Sequence, residues 1–97
     1  MQIKRGFIYI FTNSYNTVLY IGVTSNLIKR VWEHKNNIID GFTKKYHLHK
    51  LVYFEVFNNI EEAIKREKYL KGKSRTYKKE LIQKINPKYK DLYNDIL

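Results

Sequence analysis

The sequence predicts an α+β domain: a three-stranded antiparallel sheet flanked by helices, in the order β-β-α-β-α-α. Two observations carry this expectation. Runs of β-branched and aromatic residues occur three times, two of them separated only by a short polar turn. Apolar residues at helical spacing follow capping residues in three further segments. At 97 residues, with 43% of the chain apolar or aromatic, there is material for one modest core, so residues 1–97 are read as a single domain.

Residues 7–12 (Phe-Ile-Tyr-Ile-Phe-Thr) form the first expected strand and residues 17–22 (Thr-Val-Leu-Tyr-Ile-Gly) its return, joined by the turn Asn13-Ser14-Tyr15-Asn16. With a turn over residues 13–16, Thr12 faces Thr17 and Tyr9 lies opposite Tyr20. Alternation then separates a face bearing the tyrosines from a face of Ile8, Ile10, Leu19 and Ile21. A helix is expected over about 26–38, capped by Thr24, Ser25 or Asn26. Its apolar stripe is Leu27, Ile28 and Val31, and Arg30 and His34 sit one turn apart on one face. Residues 39–49 read as a loop with a basic tip, Lys44-Lys45, and residues 50–57 as the third strand. Asn59 and Glu62 open a helix of about 60–71 that Gly72 ends. Ser74 opens another, of about 75–85, which Asn86-Pro87 stops. The tail, 88–97, is expected to pack back through Tyr89, Leu92 and Ile96.

Composition excludes several classes. The chain has no cysteine, so disulfides and thiolate zinc sites are absent. Its apolar runs are too short to span a bilayer, and Met1-Gln2-Ile3-Lys4-Arg5 lacks the apolar stretch of a signal peptide. A cytoplasmic location without membrane partners is the expectation. Charge points to the partner. Nineteen Lys and Arg against nine Asp and Glu give a net +10, a field that attracts polyanions. Between Lys65 and Lys90 there are eleven basic residues and two acidic ones, with Tyr69, Tyr77 and Tyr89 interleaved. Such a stretch can grip phosphates and stack on bases, or it can be a solvated helix face whose aromatics turn into the core. Within it Lys71, Lys73 and Arg75 are candidate nucleic-acid contacts, as are Lys44 and Lys45 in the loop.

One residue breaks its local pattern. On the helix 60–71, Ile60, Ala63, Ile64 and Leu70 define an apolar face, and Glu67 falls on that face. A carboxylate there must reach water at the edge, pair with a basic neighbour, or hold a metal.

The hairpin gives this glutamate a context. Gly6-Phe7-Ile8-Tyr9 followed by Tyr20-Ile21-Gly22 resembles the two-part signature of the GIY-YIG nuclease superfamily, with Phe7 as an additional residue. Arg30, eight residues after Gly22, stands where that family has its arginine, and His34 completes an Arg-x-x-x-His pattern. Glu62-Ala63-Ile64-Lys65-Arg66-Glu67 looks like the segment carrying the family's metal-binding glutamate. Asn86-Pro87-x-x-x-Asp91-Leu92 resembles the end of the small stand-alone members, those similar to the nuclease domain of the UvrC repair protein. There are departures. Val23 replaces a lysine found in some members, and the family's C-terminal asparagine has no clear match, since Lys90 stands near its place.

The resemblance implies a GIY-YIG fold and metal-dependent hydrolysis of phosphodiester bonds, possible with Mg²⁺ or Mn²⁺ held by Glu67. It implies Arg30 as the phosphate clamp, Tyr9 as the base that takes a proton from water, Tyr20 as the group that orients the water or a phosphate oxygen, and Gly22 beside the bound nucleic acid. His34 titrates in the range of a proton relay. Tyr9 can act as a base only if nearby positive charge lowers its pKa. Each residue also has a bland reading. Tyr9 and Tyr20 can be a cross-strand aromatic pair, and Arg30 and Glu67 a plain salt bridge. His47-x-His49 lacks a third ligand and reads as surface. The function expected is an endonuclease acting on DNA rather than RNA, in repair or recombination, with a partner protein for targeting. The alternative is a non-catalytic nucleic-acid-binding module on the same fold.

Overall fold

The computed structural model describes residues 5–36, 38, 41 and 45–97. Strands β1 (Gly6–Thr12), β2 (Leu19–Thr24) and β3 (Lys50–Phe57) form one antiparallel sheet in the order β2-β1-β3. Helix α1 (Leu27–Lys35) lies between β2 and β3 in the chain, and α2 (Ile60–Lys71), α3 (Arg75–Ile85) and the short α4 (Tyr93–Ile96) follow β3. This is the expected α+β arrangement, with a terminal helical turn added by the tail. Among the described residues no helix is long and apolar enough to cross a membrane.

Side-chain oxygens open the helices as expected. Asn26 accepts from the Lys29 amide, Asn59 from Glu62 and Ser74 from Tyr77, each satisfying an N–H that the helix itself leaves unpaired. Helix α1 ends at Lys35, and Ile28 is exposed rather than part of its buried stripe, which is Leu27, Val31 and His34.

The hairpin register differs from expectation by two residues. Tyr9 faces Gly22, and Tyr20 faces Phe11. The connection runs over residues 13–18 because Asn13 builds it. Its Oδ1 accepts from the Thr17 amide at 2.9 Å and its Nδ2 donates to Thr17 Oγ1 at 2.7 Å. Asn16 takes the left-handed conformation, φ 57°, which asparagine tolerates well. Because the shift is even, it changes partners but not faces.

The two faces are therefore as distinct as the alternation requires. Ile8, Ile10 and Ile21 pack with Val52 against Ala63 and Leu70 of α2, Ile82 of α3, and Tyr89. Tyr9, Phe11 and Leu51 pack on the other side against Leu27 and Val31 of α1 and Leu48, with Ile96 of α4 at the margin. Close packing onto α2 depends on Gly6. A Cβ there would lie 2.7 Å from both the Ala63 Cβ and the Asn59 carbonyl oxygen.

β1 and β3 pair with a shift between Ile10 and Phe11, which face Tyr53 and Leu51. The intervening Val52 has no partner residue on β1 and forms a β-bulge. The tail supplies partners to this part of the β3 backbone. The buried Asn86 amide donates to Val52 O at 3.0 Å, Leu92 N donates to Leu51 O at 2.7 Å, and Asp91 Oδ1 accepts from Leu51 N. The segment 86–96 thus covers the β3 edge and crosses from one face of the sheet to the other, which is how Tyr89 and Ile96 join different clusters.

Candidate active site

The centre of the site is a buried phenol. Tyr9 sits in the central strand, 1% exposed, with its ring over Gly22 of the neighbouring strand. A Cβ on Gly22 would lie 2.2 Å from Tyr9 Cζ and from its hydroxyl, so only glycine leaves room for the ring. The second glycine of the hairpin signature thus shapes the tyrosine's pocket. Arg30, in the second turn of α1, donates from Nη1 to the Tyr9 hydroxyl at 3.0 Å. Its Nε lies 3.7 Å from Glu33 Oε1. Sequence reasoning overlooked Glu33, although the three-residue helical spacing from Arg30 was its signal.

Burial raises the Tyr9 pKa above the ordinary 10. The Arg30 guanidinium opposes this by its charge and hydrogen bond, while Tyr20 and Glu67 add to the rise. Arg30 alone therefore does not produce the lowered pKa that a base at this position requires; desolvation of the phenolate outweighs it. Arginine cannot accept a hydrogen bond, so the phenol's own hydrogen remains to be donated to another group.

The same electrostatics locate Glu67. Its carboxylate is near enough to Tyr9 to disfavour the phenolate, its side chain is only 15% exposed, and its Oε1 lies 3.5 Å from Lys71 Nζ one turn on. The anomaly on α2 is thus a half-buried carboxylate paired with a basic neighbour and close enough to Tyr9 to act on it by charge. Tyr20 also acts electrostatically on Tyr9, from its place opposite Phe11. A polar cavity of about 490 Å³ along α1, lined by Thr24, Lys29, Arg30 and Glu33 among others, opens beside this group.

His34 departs from expectation. It is buried, with its ring 4.5 Å from that of Phe11 and 6.2 Å from that of Tyr9. Burial and the Arg30 charge push its pKa down to about 4. A neutral imidazole at physiological pH packs the aromatic face; it does not supply the titration of a proton relay near pH 7.

The expected nucleic-acid contacts are spread over the surface. Lys71 is beside Glu67, and Lys45 stands 5.4 Å from the Tyr46 ring. Lys73 lies over the Tyr69 and Tyr77 rings at 4.6 and 5.6 Å. Arg75 donates to Thr17 O at 2.6 Å and so pins the hairpin connection. Lys44 lies outside the described residues. Of the interleaved tyrosines, Tyr69 is exposed, Tyr77 packs partly on the core and Tyr89 is buried. Asn86 is structural, its amide tied to Val52 and Lys90.

No group of three or more His, Cys, Asp or Glu able to hold a metal is found among the described residues. A single carboxylate suits a hard, water-rich cation whose remaining ligands are water and phosphate oxygens.

Comparison with known proteins shows the family and the fold. The profile of the GIY-YIG catalytic domain matches residues 5–89. A UPF0213 protein of Clostridium perfringens is 40% identical over 78 residues, 80% of this chain and 84% of that one. A UPF0213 protein of Syntrophus aciditrophicus is 36% identical over 85 residues, 87% of this chain and 95% of that one. The solution structure of a UPF0213 protein from Bacillus halodurans shares the fold, with a TM-score of 0.57 and 24% identity over 90% of this chain and 92% of that one. The profile takes in both halves of the hairpin signature, Arg30 and Glu67, and the chain accordingly belongs to the GIY-YIG family of nuclease catalytic domains.

Proposed function

We propose that this chain is a metal-dependent endonuclease that hydrolyses phosphodiester bonds in DNA, with a place in repair or recombination. The observation that carries the reading is the convergence of Tyr9, Arg30 and Glu67. One hydrogen bond joins the first two, and the third acts on the phenol through its charge. Net charge of +10 favours the polyanionic substrate.

Glu67 would hold Mg²⁺ or Mn²⁺, which when bound supplies Lewis-acid stabilisation of the phosphate and a second positive charge near the phenol. Arg30 presents a planar fork to a phosphate oxygen while keeping its hydrogen bond to Tyr9. With that charge beside it, Tyr9 would take a proton from the attacking water. As the new P–O bond forms, the bond to the leaving sugar oxygen breaks, and that oxygen takes a proton from solvent. His34 moves no proton in this scheme; it holds the Tyr9 ring in place from the side.

The raised Tyr9 pKa favours a second reading, a nucleic-acid-binding module that does not cut. Plasmid and synthetic branched DNA, incubated with Mg²⁺, Mn²⁺ or EDTA, separate the two. The nuclease reading requires metal-dependent cleavage that Glu67→Ala abolishes while binding persists. Equal behaviour of wild type and Glu67→Ala would refute it. Binding should weaken steeply with salt.

A further inference from the structure

A second cavity, about 500 Å³, lies on the aromatic face between the first turn of α1 and α4. Phe7 and Phe54 of adjacent strands contribute to its walls, with Leu27, Ile28 and Ile96. Both phenylalanines are only partly buried although they belong to the cluster around Tyr9. Polar groups at the cavity are of both kinds: the Arg5 guanidinium donates, and the Asp95 carboxylate accepts.

The cavity is not isolated. Ser25 and Asn26 line it and also line the polar cavity that contains Lys29 and Arg30. A ligand filling both would therefore carry an anion at Arg30 and, a short linkage away, a flat apolar group with polar edges. A nucleotide unit within a strand has that shape. An aliphatic peptide would satisfy the apolar walls but would leave the adjoining cations unused.

We infer that this cavity receives a nucleobase swung out of the strand whose phosphate is held at Arg30. The inference rests on the nucleic-acid reading above and goes beyond it by assigning the substrate form: DNA in which a base leaves its stack readily, at a mismatch, gap or branch. Aromatic walls stack on any base, and the energy for extrusion is least where pairing is already broken. Discrimination would then come from deformability of the DNA rather than from its sequence.

The test uses the full chain and a duplex carrying 2-aminopurine at a mispair, with EDTA present to prevent cleavage. Wild type should raise the probe's fluorescence several-fold as the base unstacks. Phe54→Leu keeps the apolar volume and removes the stacking ring. It should still bind the duplex, more weakly by about the loss of one stacking contact, and at saturating protein give little or no rise. Salt-sensitive binding by wild type with a dark probe, or an equal rise with Phe54→Leu, would overturn the pocket and leave the nuclease reading standing. Absence of any DNA binding by wild type would overturn both. Should Phe54→Leu fail to fold, titration of wild type with adenosine decides. Shifts of the Phe7, Leu27 and Ile96 resonances support the assignment. Shifts produced by N-acetyl-leucine amide and not by adenosine would give the cavity to a protein partner instead.

Discussion

The two faces of the sheet are built from the same three strands and are held to different standards. The face toward α2 and α3 is filled mainly by aliphatic groups, Ile8, Ile10, Ile21, Val52, Ala63, Leu70 and Ile82, with Tyr53, whose hydroxyl donates to Glu55, and Tyr89 beside them. The face toward α1 buries Tyr9 and His34 among Phe11, Leu27, Val31 and Leu51. There the Tyr9 hydroxyl has to be partnered, and the donor is Arg30. The Tyr9–Arg30 pair lies on the second face, while the first contributes Glu67 from the far side of α2, so substitutions deep in the aliphatic packing should act on folding more than on the proposed function.

The largest expected effect is on the aliphatic face. Ile10→Ala removes a fully buried side chain from the central strand and should cost about 4 kcal/mol in urea unfolding. Cleavage per folded molecule should fall far less than stability does, because Tyr9, Arg30 and Glu67 are all retained.

On the other face, Gly22→Ala drives a Cβ to 2.2 Å from the Tyr9 ring. The overpacking should cost about 3 kcal/mol and should abolish cleavage even under conditions where the variant remains folded. Similar cleavage per folded molecule in these two variants would dissolve the distinction between the faces.

The buried imidazole gives the aromatic face a pH signature. His34 titrates at about 4 in the folded chain, against an ordinary value of 6.5. The unfolded chain therefore binds more protons between those values, and stability rises with pH across that window. The contribution is fully present above pH 6.5 and is lost as pH falls toward about 4. It amounts to about 2–3 kcal/mol. His34→Leu should flatten this part of the stability–pH curve, measured by urea unfolding at each pH. An unchanged slope would mean that His34 does not lose its charge on folding.

The smallest effect is at the edge of the site. Lys71 is more than half exposed in its pairing with Glu67, so Lys71→Met should change stability by less than about 0.5 kcal/mol. It should also lower the Mn²⁺ concentration that half-saturates cleavage, since no ammonium then competes for the carboxylate.

Much of this contrast was legible in the residues. Alternation of Ile8, Tyr9, Ile10 and Phe11 separates the faces whatever the register, which is why a two-residue error in pairing left the composition of each face intact. Glu67 stood out because a carboxylate lies on an apolar stripe, and it is now seen beside Lys71 and near Tyr9. What escaped depends on tertiary placement. The hairpin connection is lengthened by side-chain bonds of Asn13 to Thr17. The direction of the Tyr9 pKa shift is set by how deeply the strand is buried. The role of His34 is set by its contact with Phe11, a residue far from it in the chain. The Asn86–Asp91 segment was recognisable as a pattern, but its work, satisfying the backbone at the β3 bulge, follows from a bulge that periodicity does not reveal.

The central claim is that one cation site brings Tyr9, Arg30 and Glu67 together on a single phosphate. Paramagnetic broadening by Mn²⁺, read in the amide spectrum with a short non-cleavable oligonucleotide bound, tests it most directly. The amides of Tyr9, Gly22, Arg30 and Glu67 should broaden together at the lowest Mn²⁺ concentrations, and Glu67→Gln should remove the effect. Broadening confined to the exposed Glu61 and Glu62 at the start of α2, with Tyr9 and Arg30 untouched, would contradict it.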